Sequence, residues 1–131
     1  MAMHQYQFPP APPMHFLITD KTGKSVIIEY VNGEIIVIPN EEAWQVCTNF
    51  IVHESSEDTK KSCRRYTKAQ AFMNEKNGRL SEEEMMNLLD EVSQRSTCYS
   101  AVYNMNTGKV SIAIGRSYKE EDIRYFELKM K

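Results

Sequence analysis

The sequence predicts an α+β fold, with mostly antiparallel sheets and a central helix pair. Two patterns carry that prediction. Apolar and polar residues alternate in the first 50 residues and again after residue 97, as in half-buried strands, whereas residues 65–92 repeat their apolar positions at helical spacing. The 131 residues suffice for one ordinary domain and are too few for two. The predicted order of elements is β-β-β-β-α-α-β-β-β.

The first 13 residues predict an extended, Pro-rich arm. Pro9, Pro10, Pro12 and Pro13 fix the backbone and remove hydrogen-bond donors, which disfavours both a helix and a central strand. Such an arm either docks on the domain or is a disordered tail. The single α+β domain is therefore expected to span residues 14–131.

Four strands are predicted between residues 14 and 50. Residues 21–24 form the turn after the first strand, and Asn32-Gly33 is a hairpin signal because both residues tolerate positive φ. That hairpin joins residues 26–31 to 34–38, and a fourth short strand is predicted at 44–50.

Two acidic residues in this region invite a catalytic interpretation. Asp20 and Glu29 are carboxylates of the type that acid–base chemistry uses in pairs. They flank a hairpin, however, and we expect both to be solvated.

A polar surface loop over residues 53–62 precedes the two predicted helices. Ser62 is the expected N-cap of a helix over 65–75, and Ser81 with Glu84 forms a capping box that starts the second helix. The apolar stripe of the second helix is expected to be buried and comprises Met85, Leu88, Leu89 and Val92.

Three further strands close the predicted fold. They cover residues 98–105, 109–115 and 125–130, and the first two are joined by a turn at 106–108.

Composition excludes several functional classes. The net charge of −2 gives no electrostatic case for nucleic-acid binding. No apolar run approaches the roughly 20 residues of a membrane span, and no signal-peptide pattern is visible.

His4 and His15 have no partners at metal-ligand spacing, so no metal or cofactor is predicted. Three widely spaced cysteines predict no disulfide framework and slightly favour a reducing, cytoplasmic compartment.

The cysteines differ in their expected reactivity. Cys47 and Cys98 lie in predicted apolar strands and are expected to be buried and inert. Cys63 precedes Arg64 and Arg65 at a helix start, which is expected to lower the pKa of its thiol. A reactive thiol at Cys63 is therefore a hypothesis.

Four short segments, taken in order, resemble the second half of the linear amide C–N hydrolases. They are residues 14–20, 25–30, 44–50, which end in Thr-Asn-Phe, and 63–66, which read Cys-Arg-Arg-Tyr. That group includes choloylglycine (bile salt) hydrolases, penicillin V acylases and their acyltransferase relatives, which are N-terminal-nucleophile enzymes. The resemblance implies part of the four-layer αββα fold of that superfamily.

The resemblance also implies two residues of an ancestral site. Asn49 takes the place of a family Asn that helps to hold the substrate or the oxyanion. Without the resemblance, Asn49 would be read as an Asn that ends a strand and bonds its own backbone. Arg65 takes the place of an Arg that keeps the nucleophilic Cys a thiolate, because a guanidinium stays charged. Arg64 is an alternative counterpart, and a solvated basic helix start is the alternative reading of both.

The family nucleophile has no counterpart in this sequence. In the family the attacking Cys is the first residue of the mature chain and its α-amine is the base, whereas this chain begins Met1-Ala2-Met3. We therefore expect either a C-terminal fragment of such a hydrolase, inactive alone, or a stand-alone, non-catalytic binding or interaction domain on the same scaffold. Enzymatic activity stays open, and the substrate is not named.

The expected partner is an N-terminal half or a second copy of the chain. Ile27, Ile35, Ile36 and Val37 put apolar groups on both sides of the early strands, more than one helix pair can cover. Exposed apolar faces and open strand edges favour self-association. A homodimer or higher oligomer is therefore predicted.

Overall fold

The computed structural model describes residues 14–129 as an α+β arrangement of two three-stranded antiparallel sheets and three α-helices. The predicted arm over residues 1–13 lies outside the described residues. In chain order the elements are β1 (Met14–Thr19), β2 (Ser25–Val31), β3 (Glu34–Pro39), α1 (Glu57–Ser62), α2 (Arg64–Glu75), α3 (Glu82–Glu91), β4 (Tyr99–Tyr103), β5 (Lys109–Ile114), a 3-10 turn (Glu120–Asp122) and β6 (Arg124–Glu127).

The N-terminal sheet contains β1, β2 and β3 in that order. Its second hairpin turns at Asn32 and Gly33, whose φ angles of 52° and 87° confirm the predicted turn. Side chains alternate between the two faces of β2, and Ile27, Glu29 and Val31 are buried on the inner face.

The opposite face of this sheet, called here the N-terminal outer face, is apolar and open to solvent. The register aligns Phe16 with Ile28 and Ile28 with Val37, so the three strands present one continuous grid. Ile35 is 71% exposed. The grid consists of Met14, Phe16, Ile18, Val26, Ile28, Tyr30, Ile35, Val37 and Pro39.

The C-terminal sheet contains β4, β5 and β6 in that order. Helix α3 covers its inner face, where Met86 packs against Val102 and Ala113. The helix begins with the predicted capping box: Glu84 N–H donates to Ser81 Oγ at 3.1 Å, and Ser81 N–H donates to Glu84 Oε2 at 2.8 Å.

The other face, the C-terminal outer face, is also largely apolar. Tyr99 and Ile114 are paired across β4 and β5 and are 64% and 61% exposed. By register and alternation the face comprises Tyr99, Ala101, Tyr103, Val110, Ile112, Ile114, Arg124, Phe126 and Leu128.

Two predicted elements are wrong. Residues 44–50 form no strand, because Trp44 and Val46 pack against the helices instead of extending the sheet. The predicted loop over 53–62 contains α1, whose N-cap Ser56 accepts the N–H of Thr59 at 3.2 Å. Lys60 pairs with Glu57 in this helix at 2.8 Å. The observed order is therefore β-β-β-α-α-α-β-β-β, with a 3-10 turn before the last strand.

Smaller corrections concern element ends and the helix stripe. Cys63, not Ser62, occupies the N-cap position of α2. The predicted strands over 98–105 and 109–115 are shortened to β4 and β5, and the last strand, predicted over 125–130, starts one residue earlier and ends at Glu127. In α3 the buried residues are Met86 and Leu88, and the other predicted stripe positions are half-buried.

Within residues 14–129, no helix combines the length and the apolar character that crossing a membrane requires.

Candidate functional site

The candidate site is built on an irregular segment, residues 40–53, which runs between the N-terminal sheet and α2. Trp44 and Val46 pack on a helical cluster of Ala69, Met73 and Leu88. Near the other end, the rings of Phe50 and Tyr66 meet edge to face, with centroids 5.1 Å apart. The segment is thus held to the helices by apolar contacts along its length.

A buried carboxylate ties the same segment to the sheet. Glu29 has no exposed surface, and its two oxygens accept the backbone N–H groups of Val52 at 2.6 Å and His53 at 2.9 Å. His15 Nδ1, on the paired position of β1, lies 3.4 Å from the same carboxylate. Buried carboxylates require such partners because an unpaired one is very costly.

The expectation that Glu29 is solvated is therefore wrong. Asp20, in contrast, is exposed, and it accepts the Thr22 hydroxyl and backbone N–H at 2.6 and 2.8 Å. Those hydrogen bonds, led by the one from the hydroxyl, lower the pKa of Asp20. The two carboxylates have different partners and form no acid–base pair.

Asn49 and Arg65 lie together at the tip of the segment. Phe50 N–H donates to the carbonyl of Thr48 at 2.8 Å, which closes a tight turn centred on Asn49. Arg65, in the first turn of α2, donates from Nη2 to Asn49 Oδ1 at 2.6 Å. Asn49 therefore bonds Arg65 through its side-chain oxygen, and its two side-chain N–H donors have no recorded acceptor among residues 14–129.

Both residues line an open pocket of about 400 Å³. The polar side of the pocket includes His15, Gln45 and Thr48, and its apolar side is made by helical residues, among them Ala69, Met73, Met85, Leu88, Leu89 and Val92. An apolar interior with a few polar groups at one side is typical of small-molecule sites.

Gln45 lines this pocket, but its side-chain oxygen is not accessible from it. Its Oε1 is buried and has no hydrogen-bond partner among the described residues, while its Nε2 lies 3.5 Å from the carbonyl oxygen of Ile38. A buried acceptor without a donor costs free energy unless another group satisfies it. Because this oxygen has almost no accessible surface, it offers no contact to a ligand in the open pocket and gives no ligand preference.

The two arginines at the start of α2 share one pocket and differ at another. Both line a pocket with Asp90 and Arg116, whereas Arg65 alone of the two also lines the pocket with Asn49. Of the two arginines that the sequence left open, only Arg65 has a hydrogen bond to Asn49 in the described part of the chain.

The three thiols have distinct environments. Burial acts to raise the pKa of Cys63, but hydrogen bonds from Thr48 and from backbone N–H groups of the helix start, together with the charge of Arg65, outweigh it and lower that pKa. The predicted direction is confirmed. Burial, followed by the charge of Glu29, raises the pKa of the Cys47 thiol. Cys98 is exposed, so its predicted burial is wrong, because β4 begins one residue later.

No metal centre is recognisable in the part of the chain that the structure describes, since no three His, Cys, Asp or Glu side chains are grouped for one. The functional-site residues that sequence reasoning missed are Glu29, Gln45 and Thr48. Their partners lie 7 to 24 residues away in the chain. A charged residue between apolar neighbours in β2 is the one signal that pointed to Glu29.

The chain was compared with protein-family models, curated proteins and solved structures, and none of them matches.

Proposed function

We propose that this chain is the acyl-binding and carbonyl-binding part of a linear amide C–N hydrolase, of the bile salt hydrolase or penicillin acylase type, and that it lacks a nucleophile of its own. The observation that carries the proposal is the Arg65–Asn49 hydrogen bond at the side of an apolar pocket. An amide substrate needs a donor for its carbonyl oxygen and an apolar surface for its acyl chain, and this pocket offers both.

The donor chemistry is that of oxyanion stabilisation. Arg65 donates to the side-chain oxygen of Asn49, and the N–H groups of Asn49 are the donors we assign to a substrate carbonyl. A fixed donor at a developing oxyanion contributes a few kcal/mol to transition-state stabilisation.

The surroundings of the three cysteines, all of which lie within residues 14–129, favour a role in binding without catalytic turnover. Cys63 is hydrogen-bonded to a hydroxyl, that of Thr48, at 3.3 Å, and Cys98 to the carbonyl of Ser96. The raised pKa of Cys47 disfavours its thiolate. A nucleophilic Cys needs a lowered pKa together with a positioned base.

The same proposal extends to the fold. One face of the C-terminal sheet packs on α3. The other is apolar, with Val110 buried and Tyr99, Ile114 and Phe126 exposed. A helix layer, a sheet and a free apolar sheet face are the parts that one half of a four-layer αββα arrangement requires.

A binding titration tests the proposed site. Trp44 is the only tryptophan and packs beside the pocket, so its fluorescence reports ligand binding without a label. We expect N-octanoylglycine to bind and Arg65→Gln to weaken its affinity about tenfold, because a charge-assisted hydrogen bond is lost. Arg64→Gln is the matched control and is expected to bind like the wild type. Equal losses in both variants, or no binding at millimolar ligand, would contradict the site.

Turnover is tested with conjugated bile salts, penicillin V and acyl-homoserine lactones. We expect no product from the purified chain. Hydrolysis that persists after Cys47, Cys63 and Cys98 are all changed to Ala would rule out this role, since it would require chemistry that a cysteine-dependent amidase does not use.

A second candidate function, a stand-alone interaction domain, is favoured by a different observation. Both sheets present an apolar outer face, including Ile35 at 71% and Tyr99 at 64% exposure. Monomeric proteins seldom expose such faces without a partner. An interaction domain would bind its partner through these faces and would show no affinity for N-octanoylglycine.

A further inference from the structure

The apolar outer faces of the two sheets favour self-association of this molecule, and that inference does not depend on the proposed amidase role. The N-terminal outer face carries nine apolar residues and no charge. The C-terminal outer face carries one charge, Arg124 on the edge strand β6. Each face is therefore suited to pack against another apolar sheet.

We propose that the chain forms a closed twofold dimer in which the N-terminal outer face of each copy packs on the C-terminal outer face of the other. The two contacts are equivalent by symmetry, so both apolar faces of both copies leave solvent together.

Area favours this arrangement over a contact through a single face. Three strands of about six residues cover about 300 Å² per face, from the usual strand spacing and rise. Pairing one face with one face therefore buries about 600 Å² in total, in the range of crystal contacts, whereas the reciprocal dimer buries about 1,200 Å², which reaches the lower end for stable complexes.

Symmetry and charge favour the same choice. If each face paired with its own kind, every copy would carry two independent twofold contacts, and the assembly would be a dihedral tetramer, a larger closed assembly or an open polymer instead of a dimer. Pairing of two C-terminal outer faces would also place two Arg124 side chains in one apolar interface. Against the uncharged N-terminal outer face, a single Arg124 can keep its guanidinium at the rim.

Adjacent residues on β6 provide a matched pair for the test. Phe126 and Tyr125 are each 54% exposed but point to opposite faces, and only Phe126 belongs to the C-terminal outer face. Phe16, 57% exposed, is the corresponding probe of the N-terminal outer face.

Sedimentation velocity of the full chain over a micromolar concentration series decides the proposal. We expect the wild type at about twice 15.2 kDa. Phe126→Ser and Phe16→Ser are each expected to raise the dissociation constant at least about tenfold, because every dimer loses two buried aromatic rings. Tyr125→Ser is expected to dimerise like the wild type. Far-UV circular dichroism verifies folding, and Ile114→Ser and Ile35→Ser replace any variant that fails to fold.

Four results would overturn the proposal. The first is a wild-type monomer, whether its faces stay open or are covered by residues 1–13. The second is a tetramer or a concentration-dependent polymer. The third is a dimer that only one of the two phenylalanine variants weakens, which would mean a contact through one face. The fourth is a Tyr125→Ser variant as impaired as Phe126→Ser.

Discussion

The inner faces of the two sheets are covered in different ways. On the C-terminal sheet, α3 supplies apolar side chains, with Met86 packed against Val102 and Ala113. On the N-terminal sheet, the irregular 40–53 segment is held by the carboxylate of Glu29. A helix satisfies its own backbone, whereas an irregular segment has unpaired N–H groups that need an acceptor. A buried carboxylate provides that acceptor, and the same contact helps to place Asn49.

Removing the carboxylate is expected to have the largest effect. Glu29→Ala leaves the N–H groups of Val52 and His53 buried without an acceptor, and we expect a loss of about 4 kcal/mol in the free energy of unfolding, from two hydrogen bonds to a charged group. Urea denaturation measures the loss. Glu34→Ala, on exposed β3, is the control and should cost under about 0.5 kcal/mol. If Glu29→Ala lowered the free energy of unfolding by less than Met86→Ala does, the carboxylate would matter less to the fold than the apolar cover of the C-terminal sheet.

The apolar cover of the C-terminal sheet is tested with Met86→Ala. Met86 is 4% exposed, and its truncation is expected to cost about 3 kcal/mol through lost burial and a residual cavity. Asn87→Ala, at the next and exposed position of α3, is expected to change stability by less than about 0.5 kcal/mol. Similar losses in the two variants, measured by urea denaturation, would show that α3 does not pack as described.

Gly78 links the end of α2 to the irregular segment. Its φ is +70°, and an added Cβ would lie 2.8 Å from Cδ1 of Trp44. Gly78→Ala is expected to cost about 2 kcal/mol, since it adds this clash to the backbone strain of a left-handed residue. Gly23→Ala has φ +84° but open space around it, so it is expected to cost about 1 kcal/mol. Thermal melting compares the two variants, and equal shifts in Tm would argue against the Trp44 contact.

The smallest expected effect is a pH dependence at the start of α3. The hydrogen bond from Lys76, followed by that from the backbone of Ser81, lowers the pKa of Glu84 below its ordinary value of 4.5. A carboxyl whose pKa is lowered on folding stabilises the protein above its ordinary pKa, and that contribution is lost as the pH falls through the lowered value. Glu84→Gln is therefore expected to lower Tm at about pH 6 and to leave it nearly unchanged at about pH 2. An equal decrease in Tm at both pH values would contradict this origin.

The parts of this fold that sequence reasoning predicted depend on local chemistry. The Asn32-Gly33 turn and the Ser81–Glu84 capping box are set within four residues, and both are present. Residues 44–50 were misassigned because Trp44 and Val46 alternate like strand residues although their partners are helical. Short apolar runs carry no sign of which surface will bury them.

The candidate site shows the same limit. The family resemblance singles out Asn49 and Arg65, and the structure joins their side chains. The sequence shows Glu29 between apolar neighbours, but its burial depends on N–H groups 23 and 24 residues further along the chain, which no local pattern locates. Alternation puts Glu29 on the same face of β2 as Ile27 and Val31, and a charge on that face favours exposure instead of the burial observed.

The position of Glu29 in the chain also matters before folding is complete. Between Ser25 and Gly33 it is the only charged residue, in a stretch otherwise rich in β-branched and aromatic side chains. Uncharged segments of this composition form intermolecular cross-β assemblies, and a single charge within them acts as a gatekeeper. We therefore expect the residue that anchors the 40–53 segment in the folded molecule also to oppose aggregation of β2 in the unfolded chain. Loss of its charge is expected to increase the unfolded fraction and to make the unfolded chain more prone to form fibrils.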